Sequence, residues 1–233
     1  MVRSVCTALL LSLVLVCAVP AAKADPITFM NFNYLKDLQQ VGNFYNGGQS
    51  NIPNYGVSFS SNVFGLRSVY SPTNPGSGNF SMPPTQMPAI FIIGNTGQQA
   101  TGIMNVANGF SNGLNFFYTA AFKETVTVWS GANGTGTVLA TLALSPNNGS
   151  CSNGPAYCNW TAVGLTFNGS AKSVTFSGAA DGIGITAITL GQSATTIPEP
   201  SSIYLLGSGL FGITAYRARR FFFRTRAAKR SIA

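Results

Sequence analysis

The chain has 233 residues, 45% hydrophobic and only 8% charged, with no His, 4 Cys and a formal net charge of +8. That charge sits at the two ends: residues 1–24 hold Arg3 and Lys23, residues 198–233 hold seven cations against Glu199, and the body between balances Lys36, Arg67, Lys123 and Lys172 against Asp25, Asp37, Glu124 and Asp181. Four scattered cations make no phosphate-binding surface, which excludes nucleic acid as a partner, and without His neither Ser/His/Asp nor Cys/His catalysis nor the usual transition-metal sites can be built.

Residues 1–24 read as a signal peptide. Arg3 precedes an apolar run over residues 5–19, and Ala22-Lys23-Ala24 places small residues at the first and third positions before a cut, so signal peptidase is expected to leave Asp25 as the mature N-terminus. The short run and the small-x-small site favour cleavage over an uncleaved anchor.

Residues 25–194 are expected to form one extracytoplasmic domain, large enough to bury a core. Its opening is irregular, with Ile27, Phe29, Tyr55, Val57 and Phe59 as strand residues, a short helix or turn over residues 34–41, and a loop-rich stretch over residues 62–88 holding Pro72, Pro75, Pro83, Pro84 and Pro88. From there alternation of period two takes over. Leu114, Phe116 and Tyr118 share one face; Glu124, Val126 and Val128 share another. Past the turn Gly131-Ala132-Asn133-Gly134-Thr135-Gly136 come Val138, Ala140, Leu142 and Leu144, then Val163, Leu165 and Phe167, with Asn168-Gly169 turning the chain into Val174 and Phe176. Short strands and Gly/Asn turns with no amphipathic helix predict an all-β domain, an antiparallel β-sandwich or jelly roll.

Few residues suggest chemistry. Cys151 and Cys158 bracket a small loop and are expected to form a disulfide in an exported protein, the alternative being two free surface thiols. A role in thiol redox chemistry lacks support, since six residues intervene and no basic neighbour lowers a thiol pKa. Asp181-Gly182 is too isolated to hold calcium, which takes six to eight oxygens. Only four acids lie in the body, so a glycosidase pair is not expected, and neither enzymatic activity nor a cofactor is assigned. Tyr45, Tyr55, Tyr70, Trp129, Tyr157 and Trp160 are the candidates for an aromatic platform on which sugar rings stack.

The C-terminal segment is tripartite. A polar, proline-bearing linker over residues 195–202 carries Pro198-Glu199-Pro200, an apolar stretch over residues 203–216 follows as one transmembrane helix, and Arg217, Arg219 and Arg220 open a basic cytoplasmic tail over residues 217–233. The prolines delay the start of the helix, and the cations fix its orientation by the positive-inside rule, leaving the body outside the cytoplasm. Fourteen helical residues rise about 21 Å against a hydrocarbon core of about 30 Å, a modest anchor. Within it Gly207-Ser208-Gly209-Leu210-Phe211-Gly212 matches a dinucleotide-binding pattern but lacks the preceding strand and following acid that such a site needs.

Pro-Glu-Pro, short apolar helix and Arg cluster, in that order, resemble the PEP-CTERM sorting signal of Gram-negative bacteria, also known as an ice-binding protein C-terminal domain although the tail by itself does not imply ice binding. The resemblance implies an exosortase-type processing enzyme as partner, inner-membrane anchoring and then the cell surface or medium as destination. A bacterial source would leave the Asn-x-Ser/Thr triplets at Asn79, Asn133, Asn148, Asn159 and Asn168 unglycosylated. More loosely, Val41-Gly42-Asn43-Phe44-Tyr45-Asn46-Gly47-Gly48, Asn54-Tyr55-Gly56-Val57-Ser58-Phe59-Ser60 and Val126-Thr127-Val128-Trp129 with Gly134-Thr135-Gly136 resemble secreted β-sandwich domains found ahead of such tails. That group commonly carries an acidic step in a late strand, where this chain has Thr186-Ala187. The expected function is that of a non-catalytic envelope protein associated with exopolysaccharide or biofilm matrix, the alternative being a lectin-like carbohydrate-binding module.

Overall fold

The computed structural model describes residues 27–192, other than 96, 97, 150, 152 and 153. Ala22, Ala24, Asp25, Pro198, Glu199, Pro200, Arg217, Arg219 and Arg220 lie outside the described residues, as do the signal peptide, the linker, the expected transmembrane helix and the basic tail. Among the described residues no helix is long and apolar enough to cross a membrane.

Nine strands are described: β1 (Thr28–Met30), β2 (Val57–Phe59), β3 (Val63–Leu66), β4 (Ala89–Ile92), β5 (Gln99–Ala120), β6 (Glu124–Trp129), β7 (Val138–Leu144), β8 (Thr161–Ala179) and β9 (Ile183–Leu190). All pairings between them are antiparallel. The hydrogen-bonded path runs β3-β4-β9-β5-β8-β6-β7, with β1 on β9 and β2 on β5. The domain is all-β, as the alternation implied.

This one sheet becomes a two-layer sandwich because β5 and β8 are long and bend together. Their ladder is regular from Gln99↔Ala179 to Asn105↔Ser173 and again from Asn112↔Phe167 to Tyr118↔Thr161, with register shifts on both sides of Phe110↔Ala171. Gly109 (φ 74°), Asn112 (φ 70°) and Gly169 (φ 96°) adopt left-handed backbone at this corner, where Gly and Asn are the residues of least cost. Beyond the corner the neighbours change. Residues 104–106 of β5 pair with β2 and residues 114–120 with β9, while β6 joins the 173–177 end of β8. Layer one is therefore β2, the first part of β5, the last part of β8, β6 and β7. Layer two is β3, β4, β9, the last part of β5 and the first part of β8, with β1 beside β4 on the outer edge of β9.

The inward faces of the two layers share one buried cluster. Phe116 of layer two meets Phe176 of layer one edge to face, ring centroids 6.0 Å apart, a geometry worth about 0.5–1.5 kcal/mol beyond the burial of the rings themselves. Gly102 on layer one faces Ile92 and Val63 of layer two so closely that a Cβ would lie 2.8 Å from Ile92 Cγ1. At the corner Phe110 packs edge to face on Phe167, at 5.4 Å.

Several sequence expectations change in the structure. Asn168-Gly169 does not reverse the chain: it is the extra length bulged out of the uninterrupted strand β8. On β1 Met30 faces inward, which leaves Phe29 42% and Ile27 61% exposed. Residues 34–41 make turns and no helix, and the 62–88 stretch contains β3. Val138, set at a register shift opposite Trp129, stands outside the core.

The outer face of layer two is partly roofed by the 67–88 and 145–160 segments. Thr186, fully buried, donates its hydroxyl to Pro88 O at 2.7 Å. Cys151 and Cys158 are disulfide-bonded, with Cα atoms 5.5 Å apart. Their loop is tied to the roof: Ser81 N donates to Tyr157 O at 2.8 Å, Ser81 Oγ to Cys158 O at 2.6 Å and Tyr157 N to Asn79 O at 3.2 Å.

One carboxyl is drawn into the core. Glu124 opens β6 on the same inward face as Val126 and Val128 and is 3% exposed. Its Oε1 accepts the Ala179 N–H at 3.2 Å, and its carboxyl occupies the space that any Cβ on Gly178 would need. Burial pushes its pKa up from 4.5 to about 7, against the opposing effect of the Ala179 bond. Below pH 4.5 the group is neutral whether the domain is folded or not. As pH rises toward 7 only the unfolded chain ionises, so stability falls across that window, by about 3 kcal/mol at 1.36 kcal/mol per unit.

Glu124→Gln is therefore expected to flatten the decline of melting temperature between pH 5 and pH 8 seen in the wild type, a clean readout in a chain without His. Equal slopes for both proteins, followed by circular dichroism, would show that the carboxyl titrates in the ordinary range. For the disulfide, Cys151→Ser with Cys158→Ser is expected to cost about 2–3 kcal/mol, the chain entropy of a short closed loop, and to keep the β spectrum. In intact mass spectrometry the exported wild type should resist alkylation at both cysteines until reduced; labelling without reductant would contradict the bond.

Candidate functional site

The aromatic residues expected to form a stacking platform do not gather on one surface. Tyr45 is a core residue, 3% exposed, its hydroxyl accepting the Phe32 N–H at 2.9 Å and its pKa pushed by burial to about 12. Tyr55 lies over it, ring centroids 5.9 Å apart at an interplanar angle of 17°. Trp129 sits on the outer side of layer one and donates Nε1–H to Thr175 Oγ1 at 3.0 Å, whereas Trp160 sits on the outer side of layer two and donates to Ser81 O at 2.9 Å. Tyr157 gives its hydroxyl to Asp181 O at 3.1 Å, and burial raises its pKa, with Asp181 and Glu124 adding to the shift. Tyr70 is exposed alone on the roof. The rings other than Tyr70 are committed to packing and to internal hydrogen bonds.

Among the described acids, Asp37 is tied into the scaffold. Asp37 Oδ1 accepts the Arg67 backbone N–H at 2.7 Å, and Asp37 Oδ2 accepts the N–H and hydroxyl of Ser77 at 2.8 and 2.7 Å. Arg67 spends its guanidinium on Leu35 O and Asn33 O, both at 2.9 Å. Among the described residues no three His, Cys, Asp or Glu side chains come together as metal ligands would.

The concave features differ in charge: Arg67 lines one and Asp181 another, whereas two are lined by no charged residue among those described. One hollow of about 270 Å³ beside Arg67 is floored by the roof segment. Another, about 430 Å³, lies at the bulged corner beside Tyr55 and Asn108. A third, about 310 Å³, opens on the outer face of layer two, between the roof and β1. Thr85 is one of its lining residues; its hydroxyl is buried, closed off from the hollow, and has no hydrogen-bond partner among the described residues, a cost of about 1–3 kcal/mol.

Strand register builds the floor of this hollow. Phe29, Thr189, Asn115 and Gly164 lie side by side across β1, β9, β5 and β8. The next row is Thr186, Phe117 and Ala162. Between these rows β9 advances three residues while β5 advances two, so β9 bulges, and Ala187 in the bulge takes a left-handed φ of 54°. That conformation costs a non-glycine residue about 1–2 kcal/mol. Its methyl, with Ala162 and Gly164, leaves the floor low, while the Phe29 and Phe117 rings rise at its sides. Asn115 donates Nδ2–H to Gln192 O at 2.8 Å, which orients its carbonyl oxygen as an acceptor. The Thr186-Ala187 step noted in the sequence is thus this bulge. Nothing in the sequence marked Phe29, Thr85 or Asn115 as neighbours.

Among curated proteins no sequence matches the chain. Solved structures that share its general arrangement include a mutant of a family 29 carbohydrate-binding module, 14% identical, covering 75% of this chain and 99% of that one at a TM-score of 0.42. Another is a family 6 carbohydrate-binding module, 13% identical, covering 71% and 94% at a TM-score of 0.37. A likeness of that degree says nothing of what this chain binds. The PEP-CTERM protein-sorting motif matches residues 196–220, the segment in which Pro198-Glu199-Pro200, the apolar stretch and the arginines follow one another. The chain thus carries the PEP-CTERM sorting signal of exported proteins behind an antiparallel β-sandwich.

Proposed function

We propose that the chain is a non-catalytic envelope protein, held in the inner membrane by its C-terminal segment until an exosortase-type enzyme processes it, and that it associates with exopolysaccharide or biofilm matrix at the cell surface. The sorting motif at residues 196–220 carries the first part of this reading. The character of the domain ahead of it supports the second. Its described ionisable groups are scattered or tied into the scaffold, and its hollows offer hydroxyls, amides and aromatic edges, the groups that meet uncharged polyhydroxylated polymers. A lectin-like module is the second reading, favoured by the exposed Phe29 ring beside the uncharged lining of the hollow on layer two.

Removing residues 198–233 is expected to move the protein from the membrane fraction to the periplasm or medium, as read by fractionation and immunoblotting. A truncated product that stays with the membrane would contradict anchoring by the tail. The matrix association is tested by co-sedimentation of the full chain with the host's own purified matrix polysaccharide, and recovery only in the supernatant would remove that part of the reading.

A further inference from the structure

We infer that the hollow over the β9 bulge is a subsite for one ring of a neutral saccharide, and that Ala187 is kept small in a strained conformation to leave the ring its place. This inference rests on the matrix-polysaccharide reading and names where the polymer would be held. The chemistry of the walls selects the ligand class. Phe29, 42% exposed, and Phe117 present aromatic surface to the C–H faces of a sugar. Asn115 and Thr189 line the hollow with an amide and a hydroxyl suited to the sugar's O–H groups. Among the described residues, no charged side chain lines the hollow. Burying a uronate, a phosphate or a charged peptide there would leave its charge uncompensated, whereas a neutral ring would lose only hydroxyl hydration, which these groups restore. A volume of about 310 Å³ is at the lower end of small-molecule sites, the scale of one ring and not of a helix or an acyl chain.

The backbone supplies the second, independent observation. A bulge residue at φ 54° is ordinarily Gly or Asn, and either would relieve the strain at Ala187. Gly would leave the hollow open. Asn would project its amide into it. The strain is retained where relief by a larger residue would close the site, which is the pattern expected of a functional position.

The two substitutions make the test. The full chain, purified in detergent, is titrated calorimetrically with neutral hexasaccharides (cellohexaose, maltohexaose and mannohexaose) and with an oligouronate of similar length. The expected result is binding of at least one neutral hexasaccharide, retained in Ala187→Gly and weakened at least tenfold in Ala187→Asn, with melting temperatures at or above that of the wild type in both. Phe29→Ala, which truncates an exposed ring and leaves the core intact, is expected to weaken binding similarly and guards against misfolding of the Asn variant. Neutral hexasaccharide binding that survives both Ala187→Asn and Phe29→Ala would overturn the subsite and leave the matrix reading standing. Co-sedimentation with matrix polysaccharide without neutral hexasaccharide binding, or binding of the oligouronate alone, would do the same. Failure to bind any of these together with failure to co-sediment would overturn the matrix reading itself, and the subsite with it.

Discussion

Bending two long strands at one place, without breaking the ladder between them, is the constraint on which the rest of this fold depends. Left straight, the 22 residues of β5 would extend about 70 Å and leave one apolar face of the sheet in water. The corner at Gly109, Asn112 and Gly169 folds the sheet onto itself, so that Phe116 and Phe176, on different strands and on opposite sides of the bend, reach one another. Because β5 and β8 serve both layers, the two halves of the core cannot slide independently. The register of β9 on β5, and with it the floor of the hollow, is inherited from that corner.

Scarcity of charge shapes what is left. With four acids in the whole body, Asp37 is used as a backbone clamp for two loops rather than as a surface solubiliser. Glu124 departs from this economy because it lies in the core itself, beside a glycine that yields its space. Elsewhere, neutral amides and hydroxyls do the joining: Asn147 holds Ala120 N–H and Tyr118 O, and Asn105 and Asn133 exchange hydrogen bonds between β5 and the 131–136 turn. Salt screens such contacts far less than it screens surface ion pairs, a useful property in an exported protein.

Much of this architecture is legible in the sequence where a strand has one wet and one dry face. Leu114, Phe116 and Tyr118, and Glu124, Val126 and Val128, announce their buried faces by period two, and the alternation puts Glu124 inside even though its chemistry argues for the surface. Asn168-Gly169 misleads because a hairpin and a bulge ask for the same thing, a residue at positive φ, and only the partner strand decides between them. Tyr45 is a platform candidate by residue type alone; in the fold its hydroxyl accepts a buried backbone N–H. The hollow is illegible for a different reason. Phe29, Asn115, Gly164 and Thr189 become a row only through three successive pairings, and a one-residue slip in any of them would turn the members to opposite faces.

The place of β9 bears on how the chain comes to be folded at all. It lies between β5 on one side and β4 and β1 on the other, so without it layer two is divided into separate pieces with open edges. A chain threaded across a membrane N-terminus first delivers β9 last of the described strands. It ends at Leu190, and the sorting motif begins at residue 196. Closure of the domain and emergence of the motif are thereby nearly simultaneous in translocation.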